Sequence, residues 1–163
     1  MQDSVTSIRA AEPDDATLVH GFILELAEYE KLSHAAMVTV AQVRDALFGT
    51  PPRAFCDIAQ INGADVGFAL WVYNFSTFVG RAGIWLEDLY VRPSARGHGA
   101  GKALLSHLAR RCRDEHLGRL EWAVLNWNAP SIAFYDSLDA EALSGWTTRR
   151  LAGEALAKLA KDG

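Results

Sequence analysis

Cysteine is scarce: the 163 residues hold only Cys56 and Cys112, far apart and in no CxxC or Cys/His spacing. A metal centre is therefore not expected, and each cysteine reads as a small buried hydrophobe. Long apolar runs are lacking too, since no segment approaches the roughly 18 uninterrupted apolar residues of a membrane span. Basic clusters are nearly absent. Sixteen Lys and Arg face 20 Asp and Glu for a net charge of -4, and only Arg110-Arg111-Cys112-Arg113 is locally basic. Such a chain has no electrostatic footprint for DNA or RNA, whereas a small cationic substrate suits its balance. Met1-Gln2-Asp3-Ser4 has neither a basic n-region nor an apolar h-region, so the expected location is the cytoplasm. No repeat, linker or low-complexity stretch interrupts the order, and the length fits a single domain spanning residues 1–163.

What is present is a regular alternation of elements. Val5 to Arg9 reads as a first strand. Pro13-Asp14-Asp15 then opens a helix whose apolar residues Leu18, Phe22, Leu26 and Tyr29 recur every three or four positions. Thr39 and Gln42 match a capping box, with Val38 and Val43 at the staple positions, which predicts a second helix to about Phe48, before Gly49 and Pro51-Pro52. Ala54 to Ile61 and Asp65 to Phe75 are β-rich and separated by Asn62-Gly63-Ala64, a hairpin signal, and Gly83 to Val91 is a further strand. A helix from Lys102 to Leu117 follows, with Leu104, Leu105, Leu108, Cys112 and Leu117 on its apolar face and Gly118 as the expected C-cap. Leu120 to Leu125 reads as a strand, Ala129 to Ser137 as a short helix, and Ala140 to Leu151 as one or two last strands before a helical tail. A mixed α/β sheet with helices on both faces is the expected architecture.

The densest signal is Arg96-Gly97-His98-Gly99-Ala100-Gly101, three glycines in five positions between a strand and a helix. Glycine lets a backbone come close to a ligand, and a helix start presents unsatisfied N–H groups to an anion. A P-loop does not fit, because Arg96 stands where its first glycine belongs and Ala103 where its Ser/Thr belongs. A dinucleotide fingerprint needs a third glycine at Lys102 and a strand that begins the domain. For the glycines alone, a plain loop and helix start competes with an anion site.

The neighbouring residues carry more. Arg96-x-x-Gly99-x-Gly101, after a strand ending in Val91-x-Pro93, resembles the acyl-CoA pyrophosphate loop of the GNAT superfamily of N-acetyltransferases. Glu25-Leu26-Ala27-Glu28-Tyr29-Glu30, Leu86-Glu87-Asp88-Leu89-Tyr90-Val91 and Asn126-Trp127-Asn128-Ala129-Pro130-Ser131-Ile132-Ala133-Phe134-Tyr135 resemble the diamine (spermidine/spermine) acetyltransferase branch and its thialysine-acetylating relatives. The resemblance runs from about Ile8 to Leu151 and implies the GNAT fold, with about six to seven strands.

It also implies a chemistry: an acetyl group passes from acetyl-CoA to a primary amine by direct attack in a ternary complex, in an enzyme that is usually a homodimer. Backbone N–H groups of Gly97, His98, Gly99, Ala100, Gly101 and Lys102 would hold the pyrophosphate, with positive charge from Arg96 and Lys102. Leu89, Tyr90 and Val91 would pair with the pantetheine arm, one of their N–H groups reaching the thioester oxygen. An alkyl amine, with a pKa of about 10.4, must lose a proton before attack, and Glu87 matches the family's proposed base. On a regular strand its neighbour Asp88 points to the other face. Tyr135 matches the general acid beside the sulfur, and Asn128 both caps a helix and matches a cofactor contact. The side chain of His98 is assigned no role; Trp85, Trp122 and Trp127 read as core or interface aromatics, and His20, His34, His107 and His116 as surface or helix residues.

The acceptor is less defined. Glu28 and Glu30 match the substrate-entrance segment, Glu87 lies beside it in the scheme, and Trp146 is a candidate wall of the amine pocket. Thr77 and Ser144 stand where polyamine-specialised relatives carry acidic residues, and Gly21 where they carry a basic one, which brings a shorter amine such as thialysine or lysine into competition. Asp139 replaces a glycine, and aspartate tolerates a left-handed backbone. The alternatives are a protein N-acetyltransferase and a non-catalytic acyl-CoA-binding module on the same fold.

Overall fold

The computed structural model describes residues 5–161. These fall into two compact units that divide between Leu125 and Asn126.

The first unit is built on a five-stranded sheet in the order β1-β2-β3-β4-β5. Strands β1 (Thr6–Ala10), β2 (Phe55–Ile61), β3 (Ala64–Ser76) and β4 (Arg81–Val91) are antiparallel neighbours, and β5 (Leu120–Trp122) joins β4 in parallel. Parallel pairing needs a crossover, supplied by helix α3 (Ala100–Asp114). Asn62 and Gly63 take positive φ between β2 and β3, as the hairpin signal predicts.

The first helix begins as a 3-10 turn at Pro13–Asp15 and continues as α1 (Ala16–Tyr29). It buries Val19, Phe22 and Leu26. Helix α2 (Val40–Phe48) starts at Thr39, where both hydrogen bonds of the capping box with Gln42 form. Val43 and Leu47 of α2 join Val19, Phe22 and Leu26 of α1 over Cys56, Ile58, Phe68 and Tyr90 of the sheet. Phe22 stacks on Phe68 with ring centroids 5.5 Å apart, and burying such rings contributes roughly 2–3 kcal/mol each. Helix α3 covers the other face with Leu104, Leu105 and Leu108. Helices therefore lie on both faces, as expected.

Three expectations need correction. Helix α3 ends at Asp114 and its left-handed residue is His116, so Gly118 is not the cap; a Cβ at Gly118 would come within 2.8 Å of Val79, making close packing its role. Cys56 is buried but Cys112 only half-buried. No strand forms over 140–151, so the described residues contain five strands rather than six or seven. Residues 141–150 are exposed throughout, and an extended segment becomes a strand only when a neighbour takes its hydrogen bonds.

The second unit contains α4 (Ala129–Asp136) and the helical tail α5 (Gly153–Leu159). Asn128 caps α4 by accepting a hydrogen bond from the Ser131 N–H, and Asp139 adopts the left-handed conformation, φ 58°.

Candidate active site

In the first unit the site begins with the glycine run. Gly97 and Gly99 take φ of 80° and 82°, with His98 between them on the negative side. Alternation of this kind turns successive N–H groups towards one concavity, and Gly99 is the N-cap of the 15-residue helix α3. A Cβ at either glycine would meet nothing within 4 Å, so the requirement there is conformational, not steric crowding. The His98 carbonyl accepts from Thr6 Oγ1 at 3.4 Å, while its Nδ1 lies 3.0 Å from the Arg96 carbonyl. That ring braces the loop rather than facing a ligand. Lys102 is exposed on the first turn. The Arg96 guanidinium lies 4.6 Å from the Tyr29 ring centroid and 5.7 Å from that of Tyr90, while its Nε donates to the Val91 carbonyl at 2.9 Å. This loop suits an acyl-CoA pyrophosphate: open backbone donors, a helix N-terminus and two cations nearby.

Strand β4 is interrupted next to it. Leu70 pairs with Asp88 but Trp71 pairs with Leu86, leaving Glu87 as the extra residue of a β-bulge. Pairing of β4 with β5 covers only Ile84 to Leu86. Beyond Leu86, no strand among the described residues takes the β5 side of Leu89, Tyr90 and Val91. An unpaired backbone edge is what an extended, amide-bearing pantetheine arm requires.

The bulge also corrects the expected separation of Glu87 and Asp88. Asp88 pairs with Leu70, which packs with the α1 and α2 core, so Asp88 faces the α1 side. Glu87 accepts a hydrogen bond from Trp85 Nε1 at 2.9 Å, and Trp85 pairs with Val72, another residue packed on that core. Both carboxylates thus belong to one face. The extra residue shifts the alternation of side chains by one, which no sequence periodicity reveals.

Asp88 and Glu30 line a cavity of about 170 Å3 walled by Ile23, Leu26 and Leu32. Burial, then repulsion from Glu87 and Glu30, pushes the Asp88 carboxyl up to about 7. Burial likewise raises Glu30 above the ordinary carboxylate range. Glu28, by contrast, is exposed at the end of α1 and contributes no wall. Asp88 and Trp85 are the residues that sequence reasoning missed; the Glu-Asp pair was visible, but its shared face was not.

The other residues that the resemblance implicates, Asn128, Tyr135 and Trp146, belong to the second unit. Asn128 is buried at the start of α4, and the Tyr135 ring lies 5.4 Å from Phe134. Trp146 is 75% exposed, in the turn closed by its N–H to the Leu143 carbonyl.

Residues 22–139 match the sequence profile described as the acetyltransferase (GNAT) family. The chain belongs to this family. Its relatives include thialysine N-epsilon-acetyltransferase of Caenorhabditis elegans, 39% identical over 153 residues, covering 92% of this chain and 94% of that protein. The enzyme of the same name from Bos taurus is 37% identical over 94% of this chain and 96% of its own length. Among solved structures, an integron cassette protein from the mobile metagenome of V. cholerae superposes with a TM-score of 0.80 at 26% identity, covering 96% of this chain and 98% of that one. As a GNAT acetyltransferase, the chain is an acyl-CoA-dependent N-acetyltransferase.

Proposed function

We propose that the chain acetylates a primary amine of a small cationic substrate, of the thialysine, lysine or diamine kind, with acetyl-CoA as donor. The observation that carries this reading is the carboxylate group formed by Glu87, Asp88 and Glu30 on one face, beside the open edge of β4. Negative charge concentrated in a cleft draws an ammonium group. The thialysine-named relatives, matched over more than nine-tenths of their length, support a compact amine over a protein chain end.

When bound, acetyl-CoA supplies an acetyl thioester. Gly97 to Lys102 would hold its pyrophosphate, and Leu89, Tyr90 and Val91 its arm, with one N–H at the thioester oxygen. The ammonium proton passes to the Glu87 and Asp88 pair, directly or through water. A base with its pKa near the working pH balances being deprotonated against being basic enough, which Asp88 meets. The free amine would then attack the carbonyl carbon, forming the C–N bond as the C–S bond breaks; Tyr135 would protonate the departing thiolate and recover its proton from the nitrogen as that becomes the amide. Asn128 matches the family's cofactor contact and Glu28 its entrance segment, and Trp146 is the candidate wall of the amine pocket. A homodimer is assigned on the same resemblance.

The test is a thiol-release assay with thialysine, lysine, diamines, polyamines and an alanine-initiated peptide. Small amines are expected to raise turnover above the donor's background hydrolysis, the peptide not. Peptide-only activity would move the chain to the protein acetyltransferases, and no acceleration by any amine despite CoA binding would mark a non-catalytic module. In the active enzyme, kcat/KM should rise with pH through about 7 as Asp88 loses its proton, and that limb should vanish in Asp88→Asn. A limb that persists there would remove Asp88 as the group that titrates.

A further inference from the structure

A second cavity, of about 140 Å3, lies beside the last turns of α3, between α3 and the ends of β1, β2 and α2. Its lining residue Arg111 is 11 positions along the helix from Ala100, some 16 Å from the glycine loop at about 1.5 Å per residue. Aromatic rings form much of the wall. Phe55 stacks on Trp71 with centroids 4.7 Å apart, and Tyr73 stands edge-on to both at 5.4 and 5.1 Å. Two opposite charges share this lining, Asp57 and Arg111.

Neither charge is fully used. Asp57 is 3% exposed, and its Oδ2 accepts a hydrogen bond from Trp71 Nε1 at 2.8 Å. Its Oδ1 lies 3.3 Å from His107 Nε2, yet that buried nitrogen makes no aligned hydrogen bond. His107 is a helix residue, as the sequence reading has it, and its ring turns towards the sheet. Arg111 gives Nη1 to Glu115 at 2.7 Å and rests 5.1 Å above the Trp71 ring, but its Nε is buried without a partner. A buried polar group left unpaired costs about 1–3 kcal/mol, and Arg111 Nε is such a group on a residue that lines this cavity, which favours an occupant that satisfies it.

The geometry points to a second small-molecule site here, for a compact zwitterion such as a short α-amino acid, distinct from the acetyl-transfer site. An ammonium alone would meet Asp57 but also face Arg111, and a carboxylate alone would meet Arg111 but face Asp57; only a molecule with both charges matches the pair. The volume equals that of a few waters at roughly 30 Å3 each, enough for alanine or serine against the aromatic wall. None of these lining residues belongs to the acetyl-transfer machinery.

The test is calorimetric and saturation-transfer titration of the full chain, without acetyl donor, using L-alanine, L-serine, ethylamine and propionate. These amino acids have no side-chain amine to occupy the proposed acceptor site. Either amino acid should bind at least tenfold more tightly than ethylamine or propionate. Asp57→Asn, Arg111→Gln and the cavity-filling Ala11→Leu should each weaken binding tenfold or more. Arg111 is half-exposed on a helix, so its variant keeps the test alive if a change at Asp57 unfolds the chain. Ala11→Leu should leave acetyl transfer unchanged, which separates this site from the proposed catalytic one. No saturation at concentrations on the order of 10 mM, equal binding of ethylamine or propionate, or binding unaltered in the folded variants would overturn the proposal.

Discussion

Asp88 shows how one side chain can carry a cost and a use together. Folded, it keeps its proton up to about pH 7, whereas an unfolded aspartate loses it near 3.8. The folded state therefore binds the extra proton between those values, and stability falls as pH rises through that window. Asp88→Asn is expected to stabilise the chain at pH 8 by roughly 1–3 kcal/mol and to change little near pH 4, while lowering kcat/KM. Thermal melts at the two pH values check the sign. At Tyr135, removing only the hydroxyl as Tyr135→Phe should cut turnover by about 10²-fold with CoA affinity nearly unchanged. Unaltered turnover would remove Tyr135 as the acid. Tyr135 and Glu87 are proposed from the sequence alone, because short motifs hold them in register. Asp88 could not be read as Glu87's partner, because its face depends on a bulge that leaves Glu87 of β4 without a partner on β3.

Among the elements, α2 and α3 contrast in how they begin. Helix α2 is closed by the reciprocal bonds of Thr39 and Gln42, both side chains engaged with each other's backbone. Thr39→Ala should cost about 1 kcal/mol and, since α2 lies outside the donor-binding elements, leave CoA binding intact; denaturant titration and calorimetry distinguish the two effects. Helix α3 begins at Gly99 in the left-handed conformation with no side-chain cap. Its first N–H groups are left to whatever binds there. Gly99→Ala should therefore cost about 1–2 kcal/mol of folding stability from the backbone alone and weaken CoA binding as well, read by the same two measurements. The capping box and glycine run were legible because caps and turns are local chemistry. The end of α3 was misread at Gly118, where the glycine serves contact with Val79 rather than backbone freedom.

For the whole molecule, apolar exposure is unevenly spread. The first unit buries a continuous core and leaves Val5, Met37, Phe75 and Phe78 more than half exposed, while the much shorter second unit leaves Leu143, Trp146, Leu151, Leu156 and Leu159 so. Such exposure is compatible with the proposed homodimer, and sedimentation velocity should give a dimer's mass; a monomer at micromolar concentration would refute it. The sequence by itself determined the α/β class, the order of elements through α4, the glycine turn that opens α3 and the family, because each rests on local periodicity, turn chemistry or short motifs. Only the tertiary structure decided that Glu87 and Asp88 share a face with Glu30, that β4 parts from β5 beyond Leu86, and that 140–151 forms no strand. Those outcomes depend on which strand pairs with which, at what register. Pairing is a contact between distant parts of the chain, and no residue carries it alone.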